Sequence, residues 1–480
     1  MASVRDFIKS IGTILPEIPK PERKPTLNER FVWTGIALIA YLIMATTPLY
    51  GFGGKLGSND QLAFLRVVFA STQGTLMELG IGPIVTSGLI LQLLVGSDII
   101  KLDMSDSADR AIFGSATKFL TLIVIVGESL AYIYGGALGS LGQTQALVVF
   151  VQLFVASLLV LLLDELIQKG WGIGSGVSLF ILAGVCQTVM WYTFAPIPFQ
   201  ISQGVSAYFG FIPATISAFF SNSLAGMVVR GFKYPSLLTF SLTIVMLLVL
   251  VYIEGIRVEL PITSIKYRGF QGVYPIKLLY VSNIPVILVS ALGANVTFFS
   301  RILNNYVGSN PPWWFHYIAV FPAASQNATT VSSYPIGGLV YYMTAPQGVN
   351  QTIADPIHSA IYLLYLVSMA VLFARLWVEI GGLNPRAVAK NLMDADVQVP
   401  GFRRTGLSIE QMLNRYIPTL TIIGGILIGL VAGVSDLFGV FGTGIGILLM
   451  VDIILQYYQM LLKEQVEEVS PALAGLIGAG

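Results

Sequence analysis

The chain has 480 residues, of which 55% are hydrophobic and only 11% carry a charge. Soluble globular domains are typically about 25% charged, so this composition excludes a soluble protein and indicates an integral membrane protein. The formal net charge of +1 points to no strongly acidic or basic partner, so only the distribution of charge along the chain can identify one.

The first 30 residues are predicted to be a cytoplasmic segment that precedes the membrane spans. Between residues 4 and 15, apolar side chains recur at helical spacing, and Arg5, Asp6 and Lys9 occupy the rest of the helical wheel. This pattern predicts an amphipathic helix that lies on the membrane interface.

Ten apolar stretches follow, and each is close to the roughly 20 residues that a helix needs to cross the hydrocarbon core. None alternates polar and apolar residues with the period of a transmembrane barrel strand, so the sequence predicts an all-α polytopic bundle. The predicted spans are residues 31–50, 76–96, 112–134, 145–167, 175–195, 236–255, 276–302, 356–380, 415–435 and 438–462.

An even number of spans places both termini on the same side of the membrane. All but five of the 26 lysines and arginines fall on the side of the N-terminus. Because basic residues are enriched on the cytoplasmic side, both termini are predicted to be cytoplasmic. The five exceptions are Lys55, Arg66, Arg230, Lys233 and Arg301.

Two pairs of short stretches resemble each other at an offset of five spans. Residues 82–89 (GPIVTSGL) resemble residues 284–292 (IPVILVSAL), and residues 172–176 (GIGSG) resemble residues 442–446 (GTGIG). These pairs predict two pseudo-twofold inverted halves of five spans around a central pore. The alternative is that glycine and proline are simply frequent in membrane helices. The predicted halves are residues 31–200 and 201–465, with a cytoplasmic tail at 466–480.

Residues that commonly carry out catalysis are scarce. The chain has two histidines, His316 and His358, and has no nucleophile motif or phosphate-binding loop, so we expect neither an enzyme nor a bound cofactor or metal. Glu128 and Asp452 lie inside predicted spans, where a charge costs about 2.5 to 3.5 kcal/mol. An ion-coupled secondary transporter would use such carboxylates, and this function remains the alternative.

Branched aliphatic residues lie next to the glycine and proline breaks in the predicted spans. A narrow ring of such side chains offers no hydrogen bonds, so it excludes water and ions from a pore. The alternative for each residue is ordinary packing between helices. The candidates are Ile81, Val85, Val177, Ile181, Ile287, Leu448 and Leu449.

Several ordered motifs between about residue 15 and about residue 465 are shared with one family. On these motifs the chain resembles the SecY family, whose members form the channel of the protein-secretion translocon. The matching stretches are LPE at 15–17, PERK at 21–24, GTL through QLL at 74–94, LDEL at 163–166, residues 172–180, RVELP at 257–261, YPIK at 274–277, SNIP at 282–285, DPIH at 355–358 and RYIP at 415–418.

The resemblance implies a channel that passes unfolded secretory polypeptides and releases transmembrane segments sideways into lipid. It assigns a plug to residues 60–71 and a lateral gate between spans two and three on one side and spans seven and eight on the other. The plug contains Arg66, which departs from an apolar plug. The implied residues are Ile81, Val85, Val177, Ile181, Ile287 and Leu449 for the pore ring, Leu62, Phe64, Leu65 and Val68 for the plug, and Thr86, Glu128 and Asn295 for the gate.

The same resemblance implies that two basic cytoplasmic loops, at residues 256–275 and 381–414, bind the ribosome. The residues favoured for this contact are Lys266, Arg268, Arg403 and Arg404. Further implied partners are small single-span subunits of the SecE or gamma type and of the beta type, signal sequences, nascent polypeptides and the lipid bilayer. The implied location is an archaeal plasma membrane, or the ER membrane for a eukaryotic protein.

Overall fold

Apolar helices make up most of the chain. The computed structural model describes residues 16–23, 25–51, 66, 69–97, 99–100, 102, 107–134, 138, 142–202, 205–221, 225–228, 230, 234–264, 271–281, 284–307, 312–322, 335–346, 348–394, 397–398 and 406–469. The helices at the predicted spans are α1 (Leu27–Thr46), α2 (Gly82–Gly96), α3 (Ser107–Tyr134), α4 (Gln143–Leu166), α5 (Gly176–Phe194), α8 (Leu237–Gly255), α9 (Ile284–Val307), α13 (Pro356–Ile380), α15 (Gly406–Leu437) and α16 (Gly444–Val469).

These helices confirm the predicted all-α polytopic membrane fold. Within the described residues, nine of them are long and apolar enough to cross a membrane, whereas α2 has only 15 residues. Shorter helices lie in the connections. They are α6 (Phe211–Phe220), α7 (Ala225–Val228), α10 (Phe315–Ile318), α11 (Leu339–Met343), α12 (Val349–Ala354) and α14 (Pro385–Asp394).

The second span was predicted to begin at residue 76, and the structure corrects this start to Gly82. The preceding residues form turns, and Gly80 has a φ of +56°, which ends any regular helix there. Pro83 is favourable in the first turn of α2 because the amide that it lacks has no partner inside a helix start. Hydrophobicity alone cannot distinguish this apolar turn from the helix that follows.

Two other spans also begin later than predicted. Residues before Ile284 form a strand that ends at Lys277, so α9 does not begin at residue 276. Helix α16 begins at Gly444 rather than at residue 438, after Gly439 and Gly442, whose φ values of +66° and +77° interrupt the helix. A strand lies before α9 and a glycine turn before α16, and both contain apolar residues that hydrophobicity alone does not separate from a span.

The strands lie in connections between the long helices. A hairpin follows α5 and consists of β1 (Pro198–Ser202) and β2 (Val205–Tyr208). A second sheet has the order β4 (Gln271–Lys277), β3 (Arg257–Ser264) and β5 (Val397–Gln398), with all neighbours antiparallel. Because Thr263 pairs with Gln398, this sheet joins the two predicted basic loops.

The described part of the N-terminal segment, residues 16–23, contacts the π-helical turn Ile167–Trp171 that follows α4. Trp171 Nε1 donates a hydrogen bond to the Pro19 carbonyl oxygen at 2.9 Å, and Lys169 forms an ion pair with Glu17. The hydrogen bond from the Lys169 ammonium lowers the pKa of the Glu17 carboxyl. The predicted amphipathic helix at residues 4–15 lies outside the described residues.

Candidate functional site

The six predicted ring residues all belong to one large apolar cluster or pack against it. Ile81, Val85, Ile181 and Leu449 are buried members of this cluster. Val177 and Ile287 are partly buried and pack against it. The cluster therefore brings together side chains from helices that belong to both predicted halves.

Each of these side chains lies at or near the beginning of its helix. Ile81 is the N-cap residue of α2, and Val177 is the second residue of α5. Ile287 and Leu449 follow within the first two turns of α9 and α16. The arrangement places aliphatic groups, which cannot hydrogen-bond, where four helix starts converge.

The three predicted gate residues are joined by hydrogen bonds. Asn295 Nδ2 donates to Thr86 Oγ1 at 3.1 Å, and the Thr86 hydroxyl donates to Glu128 Oε1 at 3.3 Å. Thr86 and Glu128 are buried. Thr86 and Glu128 lie on α2 and α3, whereas Asn295 lies on α9, so only the bond to Asn295 crosses from one predicted half to the other.

The boundary between α2 and α3 on one side and α9 on the other is called the seam below. Apolar contacts lie along it on either side of Thr86. The rings of Tyr132 on α3 and Phe298 on α9 stack with centroids 4.5 Å apart. Between α2, α9 and α13, a small apolar cavity is lined by residues that include Leu93, Leu288 and Phe373. The polar contact therefore lies between a stacked aromatic pair and a mainly apolar cavity, which Gln92 also lines.

A second polar contact, between Ser87 and Thr121, stays inside one half. Their hydroxyl groups hydrogen-bond to each other, and both residues are fully buried. Because α2 and α3 both lie on the N-terminal side of the seam, this pair links two helices of the same half. The Ser87–Thr121 bond within one half can therefore be compared with the Thr86–Asn295 bond, which crosses the seam.

The predicted plug residues Leu62, Phe64, Leu65 and Val68 lie outside the described residues. The end of the plug segment is described, and three contacts hold it. The amide of Ile81 donates to the Phe69 carbonyl at 2.8 Å, and the Tyr41 hydroxyl donates to the Ala70 carbonyl at 3.1 Å. The segment is thereby fastened to α1 and to the start of α2.

Arg66 makes the third contact and so accounts for a charge in an apolar plug. Its Nη2 lies 2.7 Å from Glu78 Oε1, and the two side chains are 10% and 1% exposed. The Gly74 amide donates to the other Glu78 oxygen. Buried charges are tolerated when they are paired and hydrogen-bonded, and both conditions are met here. Arg66 stands out in the sequence as a charge among apolar residues, whereas nothing in the sequence marks Glu78 as its partner.

Asp452, which had no explanation in the sequence, lies beside another carboxylate. Asp452 and Glu254 line the same small cavity, and Lys277 Nζ lies 3.3 Å from Glu254 Oε1. Gln456 Nε2 donates to Asp452 Oδ2 at 3.0 Å. Asp452 therefore shares a polar site with α8 and β4 rather than standing alone in an apolar span.

The predicted ribosome-binding residues Lys266, Arg268, Arg403 and Arg404 lie outside the described residues. The β4–β3–β5 sheet nevertheless connects the two loops that carry them. The polar–apolar alternation of residues 257–260 (RVEL) is a sequence signal that could have identified this sheet. Across the described part of the chain, no group of histidine, cysteine, aspartate or glutamate residues is arranged to hold a metal ion.

Comparison with known proteins gives matches along the whole chain. The SecY family model matches residues 75–458, and the model for the plug domain of Sec61p matches residues 39–74. A protein translocase subunit SecY from Aeropyrum pernix is 40% identical over 99% of this chain and 99% of its own length.

Solved structures agree with these matches. A structure of a protein conducting channel has a TM-score of 0.81 and 34% identity, and the match covers 97% of this chain and 98% of that one. Sec61 in the canine ribosome-channel complex from the endoplasmic reticulum has a TM-score of 0.79 and 33% identity, with the same coverage.

The buried ion pair at the plug predicts a non-additive effect on stability. Replacing Glu78 with Gln should lower the free energy of unfolding by about 3–5 kcal/mol, because Arg66 then keeps a buried charge without its counter-ion. Adding Arg66→Met should recover most of that loss. Thermal unfolding of the purified protein in detergent measures both variants, and losses that simply add in the double variant would contradict the pairing.

Proposed function

This chain belongs to the SecY family and is the channel-forming subunit of a protein translocase, and we propose that polypeptides cross the membrane through the apolar cluster where its two halves meet. The observation that supports this path is the convergence of six aliphatic side chains from four helix starts. The relatives named above are translocase subunits and protein-conducting channels, a non-enzymatic class, and they give no support to the ion-coupled transporter.

The ring of Ile81, Val85, Val177, Ile181, Ile287 and Leu449 acts as the seal of this path. Branched aliphatic groups dewet a narrow opening, so ions lose their hydration without compensation and are excluded. An unfolded polypeptide in transit meets no hydrogen-bonding groups that would hold it. The plug segment adds to the seal from the outer side, and the contacts of its end to Tyr41, Glu78 and Ile81 keep it near the ring.

The seam through Thr86 acts as a lateral gate. The gate has α2 and α3 on one side and α9 and α13 on the other, as the resemblance implies. An apolar helix that enters the seam replaces its apolar contacts with equivalent ones and disrupts only the hydrogen bonds of the polar cluster. Signal sequences and transmembrane segments therefore separate the two halves at small cost and reach the lipid.

The basic loops act as the ribosome-binding surface on the cytoplasmic side. Phosphate contacts from Lys266, Arg268, Arg403 and Arg404 supply affinity that is independent of sequence and sensitive to salt. The pairing of β3 with β5 holds the two loops together as one surface. A related Sec61 structure is a ribosome–channel complex, which supports this role.

The assembly also includes small single-span subunits of the SecE or gamma type and of the beta type. The chain is a multi-pass membrane protein, and the distribution of lysine and arginine supports cytoplasmic termini. We place it in an archaeal plasma membrane, or in the ER membrane if the protein is eukaryotic. The division into inverted halves at 31–200 and 201–465 is supported by the matching helix starts at Gly176 and Gly444.

The pore ring predicts an ion leak when it becomes polar. Single replacement of Ile81, Ile181 or Leu449 with Ser should raise the closed-state conductance, because hydroxyl groups let water fill the narrow opening. Leu413→Ser is the matched control, since Leu413 is as deeply buried but belongs to a separate cluster. Conductance of the reconstituted protein in planar bilayers measures the effect. An unchanged conductance in all three ring variants would show that the ring lies elsewhere.

If the lateral gate lies at Thr86, replacing Thr86 should affect gate opening more than replacing Thr121. Thr86→Val removes the bond that crosses the seam, whereas Thr121→Val removes only a contact within one half. With about 1 kcal/mol per hydrogen bond, Thr86→Val should favour opening about fivefold. The readout is the lipid-integrated fraction of a marginally apolar segment, delivered by ribosomes to proteoliposomes. Equal integration by the two variants would contradict the gate assignment.

The cytoplasmic loops predict a salt-dependent loss of ribosome affinity. Reversal of Arg268, Arg403 and Arg404 to Glu should weaken binding about tenfold or more and flatten its salt dependence. Co-sedimentation with ribosomes at two salt concentrations measures this. Arg23→Glu serves as the control because Arg23 is exposed and lies in the N-terminal segment. Undiminished binding by the triple variant would refute the role of these loops.

A further inference from the structure

Asp164, near the end of α4, holds the first turn of the next long helix. Its Oδ1 accepts a hydrogen bond from the Val177 amide of α5 at 2.9 Å. Its Oδ2 accepts a second bond from Gln168 Nε2 at 2.8 Å. The side chain is buried, so both bonds replace contacts with water that the carboxylate has lost.

Asp436, near the end of α15, makes the same kind of contact in the other half. Its Oδ1 accepts a hydrogen bond from the Gly444 amide of α16 at 2.6 Å. Its Oδ2 accepts a bond from the Tyr362 hydroxyl at 2.8 Å. This side chain is also buried. In both cases one carboxylate oxygen caps the following helix and the other binds a neutral donor.

The backbone around the two caps repeats as well. Gly174 and Gly442 lie two residues before their helices and have φ values of +76° and +77°. An added Cβ on Gly176 would lie 2.5 Å from the Asp164 Cα, and one on Gly444 would lie 2.1 Å from the Ala432 carbonyl oxygen. Both glycines therefore allow a helix start to pack directly on the end of the preceding helix.

We propose that Asp164 and Asp436 are equivalent positioning residues that fix the first turns of α5 and α16 and, through them, the aliphatic side chains that seal the pore. The first amides of a helix have no partner within it, and the positive end of the helix dipole favours a carboxylate. This inference rests on the ring assignment in the proposed function.

The distance from cap to ring is short on both helices. Val177 is itself a ring residue, and its amide is the donor to Asp164. Ile181 lies one turn further along α5. Leu449 lies five residues after Gly444, which is about 7.5 Å along the helix axis. Loss of the cap would loosen the first turn and therefore displace the ring side chains directly.

The test compares alanine and asparagine variants of both aspartates in the closed, reconstituted channel. Asp164→Ala and Asp436→Ala should each raise ion conductance about fivefold. This factor corresponds to the free energy of about 1 kcal/mol that a helix typically loses with its N-cap. Asp164→Asn and Asp436→Asn keep the acceptor oxygen and should stay near the wild-type value. Asp355→Ala is the matched control, since Asp355 caps α13 by accepting from the His358 amide at 3.1 Å, and α13 carries no proposed ring residue.

Leu449→Ser separates this inference from the ring assignment. If Leu449→Ser leaks and both alanine variants do not, the positioning role is wrong and the ring stands. If Ile81→Ser, Ile181→Ser and Leu449→Ser all fail to leak, the ring assignment itself fails. Should the alanine variants not fold, Asp164→Glu and Asp436→Glu replace them, because an added methylene moves the carboxylate away from its amide. Wild-type conductance in both glutamate variants would overturn the proposal.

Cysteine labelling supplies a readout that general destabilisation would not reproduce. In a Cys186→Ser background, single cysteines are placed at Ile181 or Leu449 and labelled with a water-soluble maleimide. Asp164→Ala should change only the labelling rate at position 181, and Asp436→Ala only that at position 449. Equal changes at both positions in each variant would show a global effect and would contradict the proposal.

Discussion

The structure depends on helices that begin at the apolar cluster instead of passing by it. Helices α2, α5, α9 and α16 all start within a few residues of the side chains that meet there. A helix start exposes backbone amides, and a membrane interior offers no water to bind them. The sequence meets this requirement with Pro83 in the first turn of α2 and with carboxylates that cap α5 and α16.

The same constraint explains how a sealed path can also open sideways. The cluster is held by apolar contacts, which an entering apolar helix can replace without loss. At the seam, Thr86, Glu128 and Asn295 form hydrogen bonds, which depend on direction. The bond from Asn295 to Thr86 joins the two halves. Within one half, the Ser87–Thr121 pair forms a hydrogen bond between α2 and α3.

Much of this arrangement could be predicted from the sequence, and the limits have physical causes. The aliphatic residues beside glycine and proline breaks were identifiable because hydrophobicity and backbone-breaking residues are local signals. The start of α2 was placed too early because the turn before Gly82 is as apolar as the helix. Glu128 was identifiable as a charge inside a span, but its grouping with Thr86 and Asn295 came only from the family resemblance, since their contacts join helices distant in sequence.

Contacts between remote segments were the main features that the sequence did not reveal. Glu78 is a carboxylate in an apolar context, and its ion pair with Arg66 depends on the fold of the intervening turn. The strand pairing of Thr263 with Gln398 joins loops on either side of α9 and α13. The carboxylate caps required knowledge that α4 and α15 end beside the helices that follow them.

The proposed gate requires the halves to separate along the seam between α2 and α9, and the distance between these two helices can be measured. In a Cys186→Ser background, spin labels are attached at Ile90 and Phe299, on α2 and α9, which are both exposed. A reference pair at Ile90 and Ile123 spans α2 and α3 within one half. Engagement of a signal sequence should lengthen the Ile90–Phe299 distance and leave the Ile90–Ile123 distance unchanged. An Ile90–Phe299 distance that stays constant on engagement would contradict opening between α2 and α9.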